Sequence, residues 1–297
     1  MRPNRRRWQQ NRQRLLQHLM STDPILLHRN MVQRIMLERL NGEHLPALQA
    51  LQASSLRAAH RSFLAHGLQG IVVVGDIDKK RVHQILHGQL ELAPAKRQPD
   101  HQQQYTKQRL IVDTGSGSMI RLSVLLPAPK VGTSDFAGWQ LMHKVLTGNH
   151  GRLEQQLHKH EALIYELSTT NASGYVELFA HVHIEQLTRM VLALRASLDE
   201  MVSLKPTVME ARRAMAANRR IYLLRRLNPW LLCRELAMVQ AAGGQVDDWH
   251  RRLGKQQQIS LADLASLGKR YFHPVHASWV VTGDRKKIRA QGLLSSW

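Results

Sequence analysis

The sequence is poor in acidic residues, aromatic residues and cysteine. Its 297 residues carry 22 Asp and Glu against 42 Lys and Arg, which gives a formal net charge of +20 with histidine neutral. Aromatic residues make up 5% of the chain, and the single cysteine, Cys233, excludes an internal disulfide and a zinc cluster built from thiolates. The hydrophobic fraction of 43% still predicts a folded chain rather than a disordered basic tail. The excess of positive charge predicts acidic partners.

Long hydrophobic runs are also missing. The densest apolar stretches, Ile71–Val74 and Leu122–Pro127, have the length of strands and fall short of the roughly 18 to 20 residues that a membrane helix needs. The basic N-terminus has no apolar segment behind it and does not fit a secretory signal. We therefore expect no membrane partner and favour a cytoplasmic location, with the periplasm and the mitochondrion left open.

A short pattern occurs twice in the chain. Val73–Asp76 is followed by two lysines, and Val281–Asp284 is followed by two lysines in the same way, 208 residues later (283 − 75). A helical pattern with a serine at its start precedes each copy. Each β-branched run predicts a strand at an edge of the core sheet. The chain is thus expected to contain the ends of two similar units.

The spacing of these copies divides the chain. Residues 1–95 are predicted to be the C-terminal part of a first α+β unit that lacks about its first hundred residues. Residues 96–106 contain the polar run Asp100–Gln104 and are predicted to be a linker. Residues 107–290 are predicted to form a complete second unit.

Apolar periodicity in the second unit predicts a mixed sheet covered by helices on one face, an α+β fold. Three helices are expected between the helix around Leu187–Val202 and the last strand. The predicted strands are Leu110–Thr114, Met119–Leu126, Leu163–Ser168, Tyr175–His183 and Ser278–Thr282, and the predicted helices before Leu187 are Asp135–Leu146 and Arg152–His160.

The segment Lys144–Gly148, the helix that begins Gly151-Arg152-Leu153, and the stretch Ala162–Leu167 resemble the pitrilysin/insulinase metallopeptidases. This family includes the mitochondrial processing peptidases and paired bacterial relatives. The resemblance implies α+β units of about 200 residues that occur in pairs. It also implies that two paired halves close around an unfolded peptide, and that residues 107–290 correspond to the usually non-catalytic unit.

Catalytic members of this family carry a His-x-x-Glu-His helix that binds zinc. No such pentapeptide occurs here: the segment His158–Ala162 has the wrong spacing, and Leu40–His44 has a leucine in place of the first zinc ligand. The pair His181 and His183 is interpreted as ordinary polar side chains. We therefore expect no metal, no cofactor and no catalysis by this chain alone. The resemblance implies a non-catalytic accessory half that pairs with a catalytic, zinc-bearing subunit and holds its peptide substrate.

The resemblance also implies two substrate-binding positions. Family members place an arginine and a tyrosine of the non-catalytic unit near the substrate, and the matching positions here hold His158 and Tyr165. Histidine is shorter than arginine and largely neutral at pH 7, so support of the transition state by this position is in doubt. The alternative is that His158 is a solvated helix end and Tyr165 a half-buried strand residue.

Arginines repeat on one predicted helix and form a stripe, which is either an ordinary solvated face or a binding surface for an acidic protein or peptide. Nucleic acid is the second candidate for this basic surface. Nucleic acid ranks second because the chain has few aromatic residues and no visible nucleic-acid-binding module. A basic scaffold bound to RNA or a ribonucleoprotein remains an alternative function, as does a remnant of a longer peptidase. The arginines of the stripe are Arg212, Arg213, Arg219, Arg220 and Arg226.

Overall fold

The computed structural model describes residues 23–25, 28–33, 52–65, 70–87, 109–114, 116–162, 164–172, 174–241 and 244–292. Residues 28–33 are helical. The strands are β1 (Arg109–Asp113), β2 (Met119–Pro127), β3 (Glu166–Ala172), β4 (Tyr175–His183) and β5 (Ser278–Gly283). The helices are α1 (Ala53–Ala65), α2 (Lys79–His87), α3 (Phe136–Thr147), α4 (Arg152–Lys159), α5 (Leu187–Ser203), α6 (Val208–Arg226), α7 (Pro229–Ala241), α8 (Val246–Gln258), α9 (Leu261–Tyr271) and α10 (Arg285–Ala290).

The five strands form one mixed sheet in the order β1-β5-β2-β4-β3. β1 pairs with β5 in parallel, and the other neighbouring pairs are antiparallel. β2 and β4 pair over nine residues each, from Met119 opposite His183 to Pro127 opposite Tyr175. Among the described strands, β3 lies at one edge of the sheet. The expected α+β fold with a mixed sheet is confirmed.

One face of the sheet carries the main hydrophobic core. Alternate residues of β2 and β4 are buried there, because side chains of a strand point to opposite faces in turn. Helices α3, α5 and α9 pack onto this face and contribute Trp139, Leu198 and Leu264, each at most 1% exposed.

The second face of the sheet is partly covered as well, so the expectation of a sheet covered on one face is wrong. Val32 packs against Leu125 of β2 and Val280 of β5. His28, which is 4% exposed, lies on the same face and forms hydrogen bonds with side chains of β2 and β5. Sequence patterning missed this cover because it comes from a helix that precedes the second predicted unit.

Most predicted elements of the second unit are confirmed with shifts of one to three residues at their ends. The strand predicted at Leu163–Ser168 begins later, at Glu166, and extends to Ala172. The number of helices was wrong. The described residues between α5 and β5 contain four α-helices, α6 to α9, because Asn228 and Pro229 end α6 and begin α7.

The two copies of the repeated pattern, Val73–Asp76 and Val281–Asp284, differ in structure. The second copy ends β5, which lies between β1 and β2 and not at an edge as predicted, because β1 pairs with its far side. Asp284 then caps α10 by accepting hydrogen bonds from the backbone of Lys286 and Lys287. The first copy is not a strand: residues 71–74 have no regular secondary structure, so this prediction was wrong.

Residues 70–74 instead pack on the helical layer. Val72 and Val74 contact the cluster formed by Leu236 and Val239 of α7. The Sγ atom of Cys233 lies 3.5 Å from the carbonyl oxygen of Val72. The predicted linker 96–106, the start of the chain before residue 23 and the segment Leu40–His44 lie outside the described residues. The proposed boundaries at 95 and 107 remain predictions.

Candidate functional site

A close backbone turn places the N-terminus of α4. The Gly151 N–H donates to the Gly148 carbonyl over 2.7 Å, and a side chain on Gly151 would lie 2.7 Å from two carbonyl oxygens, those of Leu146 and Gly148. Only glycine fits this approach. The turn therefore sets the direction of α4 immediately after α3 and brings Arg152 to the first position of the helix.

Arg152 ties three elements together from a buried position. Its Nε atom lies 2.9 Å from the Glu210 carboxylate, and its terminal nitrogens donate to the backbone carbonyls of Leu204 and Lys205 at 3.2 and 3.3 Å. Burial raises the pKa of Glu210, but the hydrogen bonds from Arg152 and Thr207 outweigh it and hold the pKa below its ordinary value. This arginine of the family-like segment is structural, and it fixes α4 against the junction of α5 and α6.

His158 and Tyr165 lie at the two ends of one short connection. His158 is exposed in the last turn of α4, where its side chain is near the helix C-terminus. Tyr165 is 72% exposed and lies one residue before β3, so it is neither on the strand nor half-buried. Its backbone N–H donates to the His181 carbonyl at 2.9 Å, which anchors it to β4. Their predicted place on one wall of a substrate chamber remains a prediction.

A cluster of polar side chains lies beside Tyr165 on the second face of the sheet. In the strand register, His181 of β4 lies between Arg121 of β2 and Glu166 of β3. The ring of Tyr165 is 6.2 Å from the ring of His181. Burial, followed by the Arg121 charge, lowers the pKa of His181, and Glu166 opposes this shift. The Nε atom of Arg121 is buried without a hydrogen-bond partner. We call Arg121, Tyr165, Glu166 and His181 the sheet-face cluster.

Histidine 183 lies on the same strand face as His181, two residues further along β4. Its ring accepts a hydrogen bond from the Glu185 backbone at 3.5 Å. Within the part of the chain that the structure describes, no group of three or more His, Cys, Asp or Glu side chains is placed to hold a metal ion.

The arginines of the predicted stripe all lie on α6 and are exposed. A capping box of Thr207 and Glu210 begins this helix. The assignment of the stripe to an acidic protein or peptide is not decided by this placement and remains a prediction. The stripe consists of Arg212, Arg213, Arg219, Arg220 and Arg226.

Sequence reasoning missed two features. The sheet-face cluster was missed because the pairing of β2, β4 and β3 is not visible in the sequence; the only available signal was the alternation of polar residues along β4. The exposed apolar residues where α6 meets α7 were also missed. The run Leu223–Trp230, interrupted by Asn-Pro, was the signal for a helix break with large apolar side chains around it.

The family model of the peptidase M16 inactive domain matches residues 50–218, which is more than half of the chain. The chain belongs to the peptidase M16 family, as an inactive-domain member. This confirms the resemblance to the non-catalytic part of pitrilysin/insulinase-like peptidases. No protein of curated function matches the chain significantly in sequence.

Solved structures agree with this M16 assignment at the level of the fold. A peptidase M16 inactive domain from Pseudomonas fluorescens is similar with a TM-score of 0.69 and 15% identity, over 89% of this chain and 66% of that one. A conserved protein from Enterococcus faecalis gives 0.65 and 13%, over 95% and 68%. The periplasmic protease PqqL from Escherichia coli gives 0.60 and 12%, over 94% of this chain but 33% of its own length. The M16 chain therefore spans between a third and about two thirds of these proteins.

Over the described ranges of the chain, none of the helices combines the length and the apolar character that a bilayer crossing requires.

Proposed function

We propose that this chain is the substrate-holding accessory half of a two-part M16 peptidase. It pairs with a catalytic, zinc-bearing subunit and binds an extended peptide beside that subunit's active site. Membership in the inactive-domain family supports the non-catalytic part of this proposal. The observation that carries the peptide-binding part is the exposed Tyr165 at the start of the edge strand β3.

An edge strand suits an extended peptide, because its outer backbone groups can form a further ladder with the incoming chain. β3 contains Ser168, Thr169 and Thr170, side chains that tolerate contact with water and with a polar peptide. Tyr165 adds an aromatic contact at one end of the strand, where a bound peptide side chain can lie against its ring.

The net positive charge of the chain indicates that the proposed peptide is acidic. The chain carries a net charge of +20, and Arg121 of the sheet-face cluster has a buried Nε atom without a partner. A carboxylate of the peptide would add to the one carboxylate of this cluster, Glu166, and would be attracted by the net positive charge of the chain. An acidic, unfolded peptide is therefore the favoured ligand.

The test measures the affinity of the full chain for a fluorescent, unstructured acidic peptide of about 20 residues, from the fluorescence anisotropy of the peptide. A second peptide of the same sequence carries N-methyl groups on alternate residues, which keeps the charge but removes backbone donors. We expect the methylated peptide to bind at least tenfold more weakly, because each lost backbone hydrogen bond contributes about 0.5 to 1.5 kcal/mol.

The Tyr165→Ala variant is expected to weaken binding of the unmodified peptide about fivefold, in line with the loss of one aromatic contact. Leu204→Ala is the matched control, because Leu204 is 53% exposed and lies between α5 and α6. Equal affinity for both peptides would mean that charge alone attracts the ligand, and the strand-edge mode would be wrong.

A further inference from the structure

A short turn joins α6 and α7. The Asn228 side chain accepts hydrogen bonds from the backbone of Trp230 and Leu231, both at 3.1 Å, and so caps α7. An ion pair between Arg225 and Glu235 also joins the two helices. These contacts determine where α6 ends and where α7 begins.

Large apolar side chains protrude from this turn. Leu227 is 82% exposed and Trp230 is 67% exposed, while Leu223 and Leu224 of the preceding turn are about half exposed at 49% and 54%. Exposed apolar residues are common when scattered, but these four lie within residues 223–230, around the single break between α6 and α7. We call these four residues the apolar tip.

Positive charge surrounds the apolar tip. Residues 211–234 contain seven arginines and no acidic residue. Arg219 and Arg220 lie one helical turn before Leu223 and Leu224, and Arg226 lies next to Leu227. The Arg234 guanidinium lies 5.9 Å from the centre of the Trp230 ring. Of the seven, Arg225 is paired with Glu235.

We propose that the apolar tip and its arginines bind the surface of an anionic lipid bilayer. Leucine and tryptophan side chains at a protruding turn can enter the boundary between headgroups and acyl chains, while arginines contact the phosphate groups. A protein partner would need a pocket that receives the protruding tip, and four side chains are a small part of the roughly 800 Å² per partner of a standard interface. A peripheral contact of this kind needs no membrane-spanning segment.

This proposal is independent of the peptide-binding function, and its test uses the full chain and vesicles. Flotation compares vesicles of phosphatidylcholine with vesicles of equal parts phosphatidylcholine and phosphatidylglycerol. We expect binding to the mixed vesicles only, with a shift of the tryptophan emission to shorter wavelength. In Trp230→Phe the shift should disappear while flotation stays within about threefold, because a phenyl ring also enters the interface.

Two variant sets separate the apolar tip from its charge. Leu227→Ser with Trp230→Ser should weaken vesicle binding at least tenfold, because two apolar insertions are lost. The matched control is Leu204→Ser with Val275→Ser, two positions with about half of each side chain exposed. Replacing Arg219, Arg220 and Arg226 by Gln should weaken binding about a hundredfold, at about fivefold for each arginine near the surface. The charge-matched control is the replacement of Lys269, Lys286 and Arg289, all exposed, by Gln.

Three results would overturn the proposal. The first is equal binding to both vesicle types or to neither. The second is an equal loss in the charge-matched control, which would mean that the net charge of +20 binds without a site. The third comes from adding poly-L-glutamate: if the tip variants lose binding to this acidic polypeptide but not to vesicles, the surface docks an acidic protein instead.

Discussion

His28 makes a polar contact that links an early segment of the chain to the sheet. Its Nδ1 lies 2.8 Å from the Thr282 hydroxyl and its Nε2 lies 2.7 Å from the Ser123 hydroxyl. Ser123 donates to Glu177, so its hydroxyl oxygen is left to accept from His28 Nε2, and Nδ1 of the neutral ring accepts from the Thr282 hydroxyl. Burial, followed by the Arg121 charge, lowers the pKa of His28 to about 3, which keeps the ring neutral.

A second buried histidine titrates in the same range. His143 is stacked on Trp139 at 5.3 Å within the core, and its Nε2 atom is buried without a hydrogen-bond partner. Burial, followed by the Lys144 charge, lowers its pKa to about 3. Both rings must therefore take up a proton when the chain unfolds below their ordinary pKa of 6.5.

The first prediction follows from the sign of these shifts. The unfolded state binds more protons than the folded state between pH 6.5 and about 3. The stabilisation is complete above pH 6.5 and is lost progressively as the pH falls toward 3. Urea titrations at pH 7 and pH 4 should show a fall in the free energy of unfolding on the order of 3 kcal/mol for each of the two rings, or about 6 kcal/mol in total.

His28→Gln is the control for this pH dependence, because glutamine does not titrate. The difference in stability between wild type and variant should shrink as the pH falls from 7 to 4. Burial raises the pKa of the neighbouring Glu177, so its protonation partly offsets the histidine effect in both proteins. A constant difference across this range would contradict the assignment of His28 as a buried neutral group.

The second prediction concerns His158 and Tyr165 in the complex with a catalytic subunit. His158→Ala or Tyr165→Phe should reduce peptide cleavage by about 10- to 1,000-fold, the usual loss for one positioned hydrogen-bond donor. His158→Arg should keep or raise the rate, because arginine is longer and always charged. The measurement is initial cleavage rate, with co-elution on a sizing column as the control for assembly. If all three variants cleave at the wild-type rate, the pair has no contact with substrate.

At the residue scale, the sequence predicts candidate binding residues but not their contacts in the fold. The family resemblance predicts a substrate-binding role for Tyr165, and its exposure agrees with a surface role, whereas no sequence pattern predicts a role for His28. The reason is physical: the partners of His28 are 95 and 254 residues away, and such contacts exist only after β2 and β5 have paired.

At the scale of elements, Arg152 on α4 holds that helix against the end of α5 and the start of α6. Its side chain is 4% exposed and receives its counter-charge from Glu210, which also closes the capping box of α6. The guanidinium also donates to the backbone carbonyls at the end of α5 and in the loop that follows. These carbonyls have no partner within the helix, so the arginine replaces a C-terminal cap.

The third prediction is the effect of removing this link. Arg152→Leu should destabilise the chain by about 3 to 5 kcal/mol, because it leaves the Glu210 carboxylate and several carbonyls without a donor. Thermal or urea unfolding followed by circular dichroism gives the value. Arg270→Leu is the matched control: its ion pair with Asp135 is 63% exposed on the arginine side, so it should lose about 1 kcal/mol or less. Equal losses in both variants would contradict a special role of Arg152.

Elements of the second unit were predictable because their periodicity is strong. β2 and β4 alternate between the two faces of the sheet, and α5 repeats apolar residues along one side. Residues 71–74 show the opposite case. Four apolar β-branched residues predicted a strand, but burial of Val72 and Val74 against α7 satisfies the same residues without a strand partner.

The fourth prediction is made for the whole molecule. The purified chain should cleave no peptide and should bind no stoichiometric catalytic zinc, because the sequence contains no His-x-x-Glu-His helix. Metal analysis combined with a peptide-cleavage assay tests this. One tightly bound zinc per chain, together with cleavage that a chelator abolishes, would contradict it.

The fifth prediction is that the chain associates with itself or with a partner at micromolar concentration. Ile71, Val73, Ile77 and Ile85 are 37 to 49% exposed in one stretch of the N-terminal part, and β3 leaves an open edge in the described sheet. Light scattering should give a mass above that of one chain. A stable monomer at this concentration would contradict the prediction.

Two early segments pack on different sides of the residues that follow Arg109. Residues 28–33 lie on the second face of the sheet, and residues 70–74 lie on α7. This has a consequence for cooperativity. Although the sequence predicts two units, neither the early segments nor the residues from Arg109 onward can unfold without uncovering apolar side chains of the other. Heating should therefore give one calorimetric transition for the whole chain. A fragment that starts at Arg109 would keep all five strands yet expose Val280 and Leu236, and so would aggregate.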